Sequence, residues 1–245
     1  MRNIKLTIQY DGTGYHGWQS QDNALTVQDA VENAIKEITG VKPKLIGCSR
    51  TDTGVHAKRF VANFKSETKI PCMKLPLALN TKLPRDIVCV LAEEAEPYFH
   101  SRYHAKKKTY TYYIQNSRFP DAFKLDYAWH YPYSLDIDKM KKAAEAFLGE
   151  HDFIGFAASG FTVKTTVRTI YSLEVDRVED DLIKITVTGN GFLYNMVRII
   201  AGTLAFCGCG KLDPADMPDI IASRDRKRAG ITAPAQGLYL TEVYY

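Results

Sequence analysis

The chain has 245 residues, 45% hydrophobic and 24% charged, with a formal net charge of +4 and a pI of about 8.6. That is the composition of a folded protein with room for one large domain or two medium ones, and it excludes a disordered or fibrous chain. No apolar run approaches the roughly 18 residues of a membrane span, and no signal-peptide core follows Met1, so a cytoplasmic protein is expected.

Ile4 to Tyr10 alternates apolar and polar residues, the pattern of a half-buried strand. Asp-Gly-Thr-Gly-Tyr-His-Gly-Trp-Gln follows, in which Gly12, Gly14 and Gly17 formally match a dinucleotide-binding loop. A dinucleotide-dependent oxidoreductase would cradle a pyrophosphate there, but its helix does not open: the next helix signal is the capping box Thr26-Val-Gln-Asp. Val27, Ala30, Val31, Ala34, Ile35 and Ile38 then repeat at helical spacing until Gly40. Strands are predicted at about 44–50, 59–65 and 86–92, with Pro71, Pro76 and Pro84 confining the stretch between the last two to loops and a short helix.

Leu45 to Ala57 carries the first candidate site. Its apolar start breaks into Ser-Arg-Thr-Asp-Thr-Gly, which reads as a strand delivering Arg50, Thr51 and Asp52 to a strand-end loop. In an extended segment Arg50 and Asp52 share a face, and the guanidinium would favour an ionised carboxylate. Asp52 is thus either a reactive carboxylate or a turn cap beside a surface ion pair.

Residues 106–116 are strand-like through Thr-Tyr-Thr-Tyr-Tyr-Ile, with Tyr110 and Tyr112 on one face. These tyrosines are either core or, on a strand entered through three lysines, candidates for a charged cleft. Residues 117–134 read as a connection, and Ile137, Met140, Ala144 and Phe147 mark a helix ending near Gly149. Thr165–Arg177 and Leu182–Thr188 form an antiparallel pair, Gly191 opens a helix through Phe206, Asp213–Ala222 is another, and the chain closes on a strand from Gly237. Successive strands without regular crossovers argue for an α+β fold with largely antiparallel sheet, divided into halves at 1–105 and 106–245.

Five cysteines at unrelated spacings give neither a disulfide framework nor a zinc site, and His100 and His104, four apart, lie in an extended segment, so no metal is expected. Positive charge concentrates at Lys58-Arg59, Lys106-Lys107-Lys108 and Arg224 to Arg228, the second run set among Tyr98, Phe99, Tyr103, Tyr110, Tyr112 and Tyr113. Such runs suit a surface that tracks phosphates and stacks bases, or are solvated faces. Arg198, the one ionised residue in the apolar stretch Phe192–Phe206, is either paired, with Asp52 as a sensible partner, or on an exposed stripe.

Taken together, Tyr10-Asp-Gly-Thr-Gly-Tyr-His-Gly-Trp-Gln, Ser49-Arg-Thr-Asp-Thr-Gly-Val-His-Ala, Lys108-Thr-Tyr-Thr-Tyr, His151-Asp-Phe, Gly191-Phe-Leu-Tyr-Asn-Met-Val-Arg-Ile-Ile-Ala-Gly and Ala229-Gly-Ile-Thr-Ala-Pro-Ala-Gln-Gly-Leu-Tyr-Leu resemble the tRNA pseudouridine synthases of the A type. The resemblance covers essentially the whole chain. It implies the pseudouridine synthase fold, two similar mixed α/β halves with the active-site cleft between them. It further implies isomerisation of uridine to pseudouridine at nucleotides 38, 39 and 40 of the tRNA anticodon stem-loop, by a homodimer, without cofactor or metal.

On that resemblance Asp52 matches the essential aspartate, Tyr110 the tyrosine against the target base, and Arg198 the arginine paired with the aspartate, with Arg50 a second cation for Asp52. Lys58, Arg59, Lys106, Lys107, Arg224, Arg226 and Arg228 are the expected phosphate contacts. Thr53 stands where the motif usually has Ala. A non-catalytic RNA-binding protein would need only the basic and aromatic features and would not depend on Asp52.

Overall fold

A computed structural model of the chain describes residues 1–160 and 163–245. Its elements in order are β1 (Arg2–Tyr10), α1 (Val27–Thr39), β2 (Ile46–Gly47), β3 (His56–Ser66), α2 (Leu75–Asn80), β4 (Ile87–Ala95), β5 (Lys107–Gln115), β6 (Trp129–His130), α3 (Ile137–Glu145), β7 (Gly149–Asp152), β8 (Val167–Glu179), β9 (Leu182–Gly189), α4 (Met196–Gly208), α5 (Met217–Ser223) and β10 (Leu238–Tyr244). They group into two compact units, Met1–Lys106 with Tyr239–Tyr245 and Lys107–Leu238.

In the first unit the strand order is β4-β1-β3-β10, with β2 also against β3. β1 runs antiparallel to β3 and β4, whereas β10 joins β3 in parallel through Tyr239 and Leu240 opposite His56 and Ala57. Ile4, Leu6 and Ile8 of β1 and Phe60 and Phe64 of β3 are buried, but Asn3 and Thr7 are buried too, so β1 is covered on more than the one face its alternation predicts. α1 buries Val27, Val31, Ala34 and Ile35, each full side chain worth about 1.5–3 kcal/mol for Val or Ile. Thr26 caps it: its hydroxyl oxygen accepts the Asp29 N–H (3.2 Å) and its O–H donates to Asp29 Oδ2 (2.6 Å), and Gly40 closes the helix at φ 80°.

The second unit has the order β5-β9-β8-β7, all antiparallel, with β6 parallel to β5. Tyr112, Ile114, Ile183, Ile185 and Val187 fill its centre, and α3 packs on β8 and α4. α4 is apolar on nearly every side and nearly every residue of it is buried, as its composition demands. Three of the five cysteines, Cys48, Cys89 and Cys207, are buried, and burial pushes the thiols of Cys89 and Cys207 up to about 12.

Several boundaries differ from the sequence reading. α4 begins at Met196 rather than Gly191, because Asn195 sits in the left-handed region (φ 60°) and no helix continues through it. The strand expected at 44–50 shrinks to Ile46–Gly47. There the Trp18 indole, stacked on Phe60 at 3.9 Å, occupies the space a side chain at Gly47 would need. Replacing Thr26 with Ala should lower the unfolding free energy by about 1 kcal/mol, read from urea denaturation, since the cap loses its acceptor. No change would show that Asp29 alone secures the helix start.

Candidate active site

Asp52 lies not at the end of a regular strand but in a turn. Its carbonyl accepts the Val55 N–H (3.1 Å) and Gly54 takes φ 76°, closing the turn over residues 52–55. Thr51 and Val55, on either side, are buried, while Asp52 is half-buried. The turn thus holds Asp52 between two buried neighbours.

The anchors come from the Gly-rich segment after β1. Tyr10 Oη and Thr51 Oγ1 share a hydrogen bond (2.9 Å), the Trp18 N–H donates to Thr51 O (3.2 Å), and the Gly54 N–H donates to Tyr15 O (3.3 Å). The Gly12 N–H donates to His56 Nδ1 at 3.0 Å, although Asp11 Oδ1 lies 3.1 Å from the same nitrogen. A backbone N–H can only donate, so Nδ1 is the acceptor here. A Cβ on Gly12 would collide with the Val55 carbonyl, and one on Gly17, at φ 80°, with the Thr51 carbonyl. These glycines serve a close approach of two loops, and α1 does not open until Val27, so the dinucleotide reading has no support.

Arg50 is exposed and forms no ion pair among the described residues. Residues 50–52 lie outside any strand ladder.

In the second unit the side chain of Arg198 is fixed at two points. Its Nε donates to Ala233 O (2.7 Å) and its Nη1 to Asn195 Oδ1 (2.8 Å), and the Ala233 N–H returns a bond to Arg198 O (3.1 Å). Arg198 is thus not a solvated charge on a helix stripe. Asn195 supports it from the left-handed conformation that ends the preceding loop, a role the sequence reading missed. Tyr112 Oη donates to the next carbonyl, Pro234 O (2.7 Å); burial drives its phenol well above the usual range, offset in part by the Arg198 charge.

The segment carrying these carbonyls is itself seated on α4. A Cβ on Gly202 would collide with Ile231 O, a Cβ on Gly230 would come within 2.6 Å of the Gly202 backbone, and the Gly230 N–H donates to Thr203 Oγ1 (2.8 Å). Tyr110, on β5, is 7% exposed and meets Phe192 edge to face at 5.2 Å. Tyr112 is wholly buried and Tyr110 nearly so, so both tyrosines on that face belong to the core.

The basic candidates divide. Lys106 and Lys107 are exposed, Lys58 lies over the Tyr239 ring at 5.5 Å, and Arg59 pairs with Glu242 at 3.3 Å. Arg224 pairs with Asp152 (2.9 Å), whose carboxyl the Thr166 hydroxyl, the Ile154 N–H and Arg224 hold below the usual range against the smaller opposing effect of burial. Arg226 donates to Gly230 O (2.7 Å) and Thr232 Oγ1 (3.1 Å), and Arg228 to Asp219 O (3.3 Å). The run 224–228 therefore holds loops of its own unit together.

Residues 6–104 and 143–245 match the family described as tRNA pseudouridine synthase. Over 245 residues, the whole of both chains, this one is 54% identical to a protein of Thermoanaerobacter sp. (strain X514) and 55% identical to one of Acetivibrio thermocellus, each named tRNA pseudouridine synthase A. It is 50% identical over the same length to tRNA pseudouridine synthase A 2 of Clostridium perfringens. Likeness to a chain in the crystal structure of a Cbf5-Nop10-Gar1 complex is remote, with a TM-score of 0.43, 12% identity and coverage of 97% of this chain and 48% of that one. The class these matches define is that of isomerases acting on tRNA. Within it, the chain belongs to the tRNA pseudouridine synthase A family.

Gly12→Ala should destabilise the protein by about 1–3 kcal/mol, because the Val55 carbonyl must move. Gly14→Ala, with nothing within 4 Å of the added carbon, should stay within about 0.5 kcal/mol of the unmodified protein. Equal losses in urea unfolding would remove the close-approach account of this motif.

Proposed function

We propose that this protein converts uridine to pseudouridine at nucleotides 38, 39 and 40 of the tRNA anticodon stem-loop, with Asp52 as the reacting carboxylate. The observation that carries this reading is the 54–55% identity to the A-type relatives across all 245 residues. The half-buried Asp52 on an anchored turn supports its role, since catalytic residues sit on loops held by a rigid scaffold.

The reaction breaks the C1′–N1 bond, turns the uracil, joins C5 to C1′ and transfers the C5 proton to solvent while N1 gains one. Nothing is oxidised or reduced, so no electron carrier is called for. An ionised carboxylate can attack C1′, add to the ring or remove a sugar proton; a neutral acid can do none of these. Arg198 is proposed as the cation that keeps Asp52 ionised. The bonds from Asn195 and Ala233 support this by leaving the guanidinium little rotational freedom.

A uridine within a stem must be flipped out at a cost of a few kcal/mol, and stacking on an aromatic offsets about 1–3 kcal/mol of it. Tyr110 is proposed as that aromatic, its ring fixed by Phe192. Duplex RNA is read mostly through shape and backbone, and the exposed Lys58, Lys106 and Lys107 are the proposed phosphate contacts. Arg59, Arg224, Arg226 and Arg228 join them only with the donors their own contacts leave over. The protein is proposed to act as a homodimer.

Tritium release from tRNA labelled at C5 of uridine tests the reaction. The unmodified protein should release it and Asp52→Ala should not, with tRNA binding retained. Absence of release from several well-folded unmodified tRNAs would end the proposal. Sedimentation at micromolar concentration should give twice the 27.6 kDa chain mass; a fully active monomer would refute the dimer.

A further inference from the structure

We infer that the outward face of the segment Tyr98–His104 is a second RNA contact, a stacking surface for an unpaired base of the tRNA other than the target uridine. It rests on the reading of this protein as a tRNA-binding enzyme. The segment joins β4 to the basic run at Lys106, and its inner and outer sides are built differently.

The inner side is bolted to the first unit by buried amides. Asn3 Nδ2 donates to Glu96 O (2.8 Å) and Phe99 O (3.0 Å), and Asn63 Nδ2 to Asn3 Oδ1 (3.0 Å) and Phe99 O (3.2 Å). Asn63 Oδ1 accepts both the N–H (2.8 Å) and the hydroxyl (2.7 Å) of Ser101, which is wholly buried, and Tyr245 Oη donates to Ser101 O (2.9 Å). A buried Asn pair spent on one short loop fixes its backbone.

The outer side displays rings. Tyr98 and Tyr103 are each 75% exposed. His100 Nδ1 accepts the N–H groups of Arg102 (3.2 Å) and Tyr103 (3.3 Å), and His104 Nδ1 accepts that of His100 (3.4 Å), so both imidazoles brace the turn. Tyr103 lies against His100 with centroids 4.2 Å apart, the Arg102 guanidinium stands 5.9 Å from its ring, and Tyr98 meets His104 edge-on at 6.1 Å. Tyr103 is held against His100, and both tyrosine rings keep open area. A prepositioned ring loses little rotamer freedom on binding.

Charge selects the partner. From Glu96 to Lys107 the chain has one carboxylate against Arg102, Lys106 and Lys107, all exposed. Apart from Pro97 and Ala105 it offers no aliphatic side chain, and beyond Glu96 and Pro97 its exposed residues are rings and cations. Exposed aromatics among cations match an unpaired base and its phosphates, and tRNA has unpaired loops.

The test compares Tyr98→Ala/Tyr103→Ala with Tyr98→Phe/Tyr103→Phe and with Lys106→Ala/Lys107→Ala, measuring binding of fluorescein-labelled unmodified tRNA across salt concentrations. The first variant should raise Kd by about five- to a hundredfold without changing the salt slope, and the Phe variant should stay within about twofold. The lysine variant should instead flatten the slope. Melting temperatures should not move for the tyrosine variants, whose side chains are exposed. A tRNA carrying cytidine at the target positions should show the same tyrosine effect; loss of the effect there would assign these rings to the target base and overturn the inference. It also falls if the Ala variant binds within twofold of the unmodified protein, or if the Phe variant weakens binding as much as the Ala variant. An unmodified protein that binds no tRNA would remove this inference and the proposed function together.

Discussion

The close approach of backbone to backbone at glycine is the constraint on which both candidate segments depend. In the first unit, Gly12 and Gly17 let the loop after β1 lie against the carbonyls of Val55 and Thr51, so the turn carrying Asp52 is held by a second loop. In the second, Gly202 and Gly230 bring the segment 229–234 onto α4, where its Ala233 carbonyl receives Arg198. A single Cβ at either contact has no space. Asp52 thereby stands on a turn braced by packed structure, and Arg198 on a helix that is itself almost wholly buried.

The same economy governs the charges. A net charge of +4 understates how the cations are used, because Arg226 is committed to Gly230 O and Thr232 and Arg224 to Asp152. Guanidinium suits this work: it is always charged, planar and rich in donors, so it can tie a loop whose carbonyls no helix or strand satisfies. The flexible lysines at 58, 106 and 107 remain at the surface. Arginine at 226 builds the loop that orients Arg198.

Legibility in the sequence followed the strength of local signals. α1 could be read because Thr26, its apolar spacing and Gly40 agree, and β8 and β9 because their alternation spans a turn. The start of α4 was misplaced because Phe192 and Leu193 continue the apolar pattern, and only a left-handed Asn195 breaks it. Arg50 and Asp52 lie just outside any strand, with the turn 52–55 beginning at Asp52. Gly12, Gly14 and Gly17 spell a phosphate-binding pattern, but two of them are required by distant neighbours, Gly12 by Val55 and Gly17 by Thr51, which no local rule reveals. Asn3, Asn63 and Ser101 were silent for the same reason: their partners are distant, and burial alone gives them meaning.

A site proposed to serve three adjacent nucleotides cannot be built from contacts to the edges of neighbouring bases, since each shift of register would present a different set. Phosphates repeat with every nucleotide, and every base has a face that stacks, so lysines and fixed aromatic rings bind equally well after a shift. What must not shift, on the proposed function, is the carboxylate that reacts. Asp52 and Arg198 each stand on a segment tied by several hydrogen bonds and glycine contacts, whereas Lys106, Lys107, Tyr98 and Tyr103 are exposed. Selectivity then lies in which uridine can reach the carboxylate, and affinity in contacts indifferent to sequence.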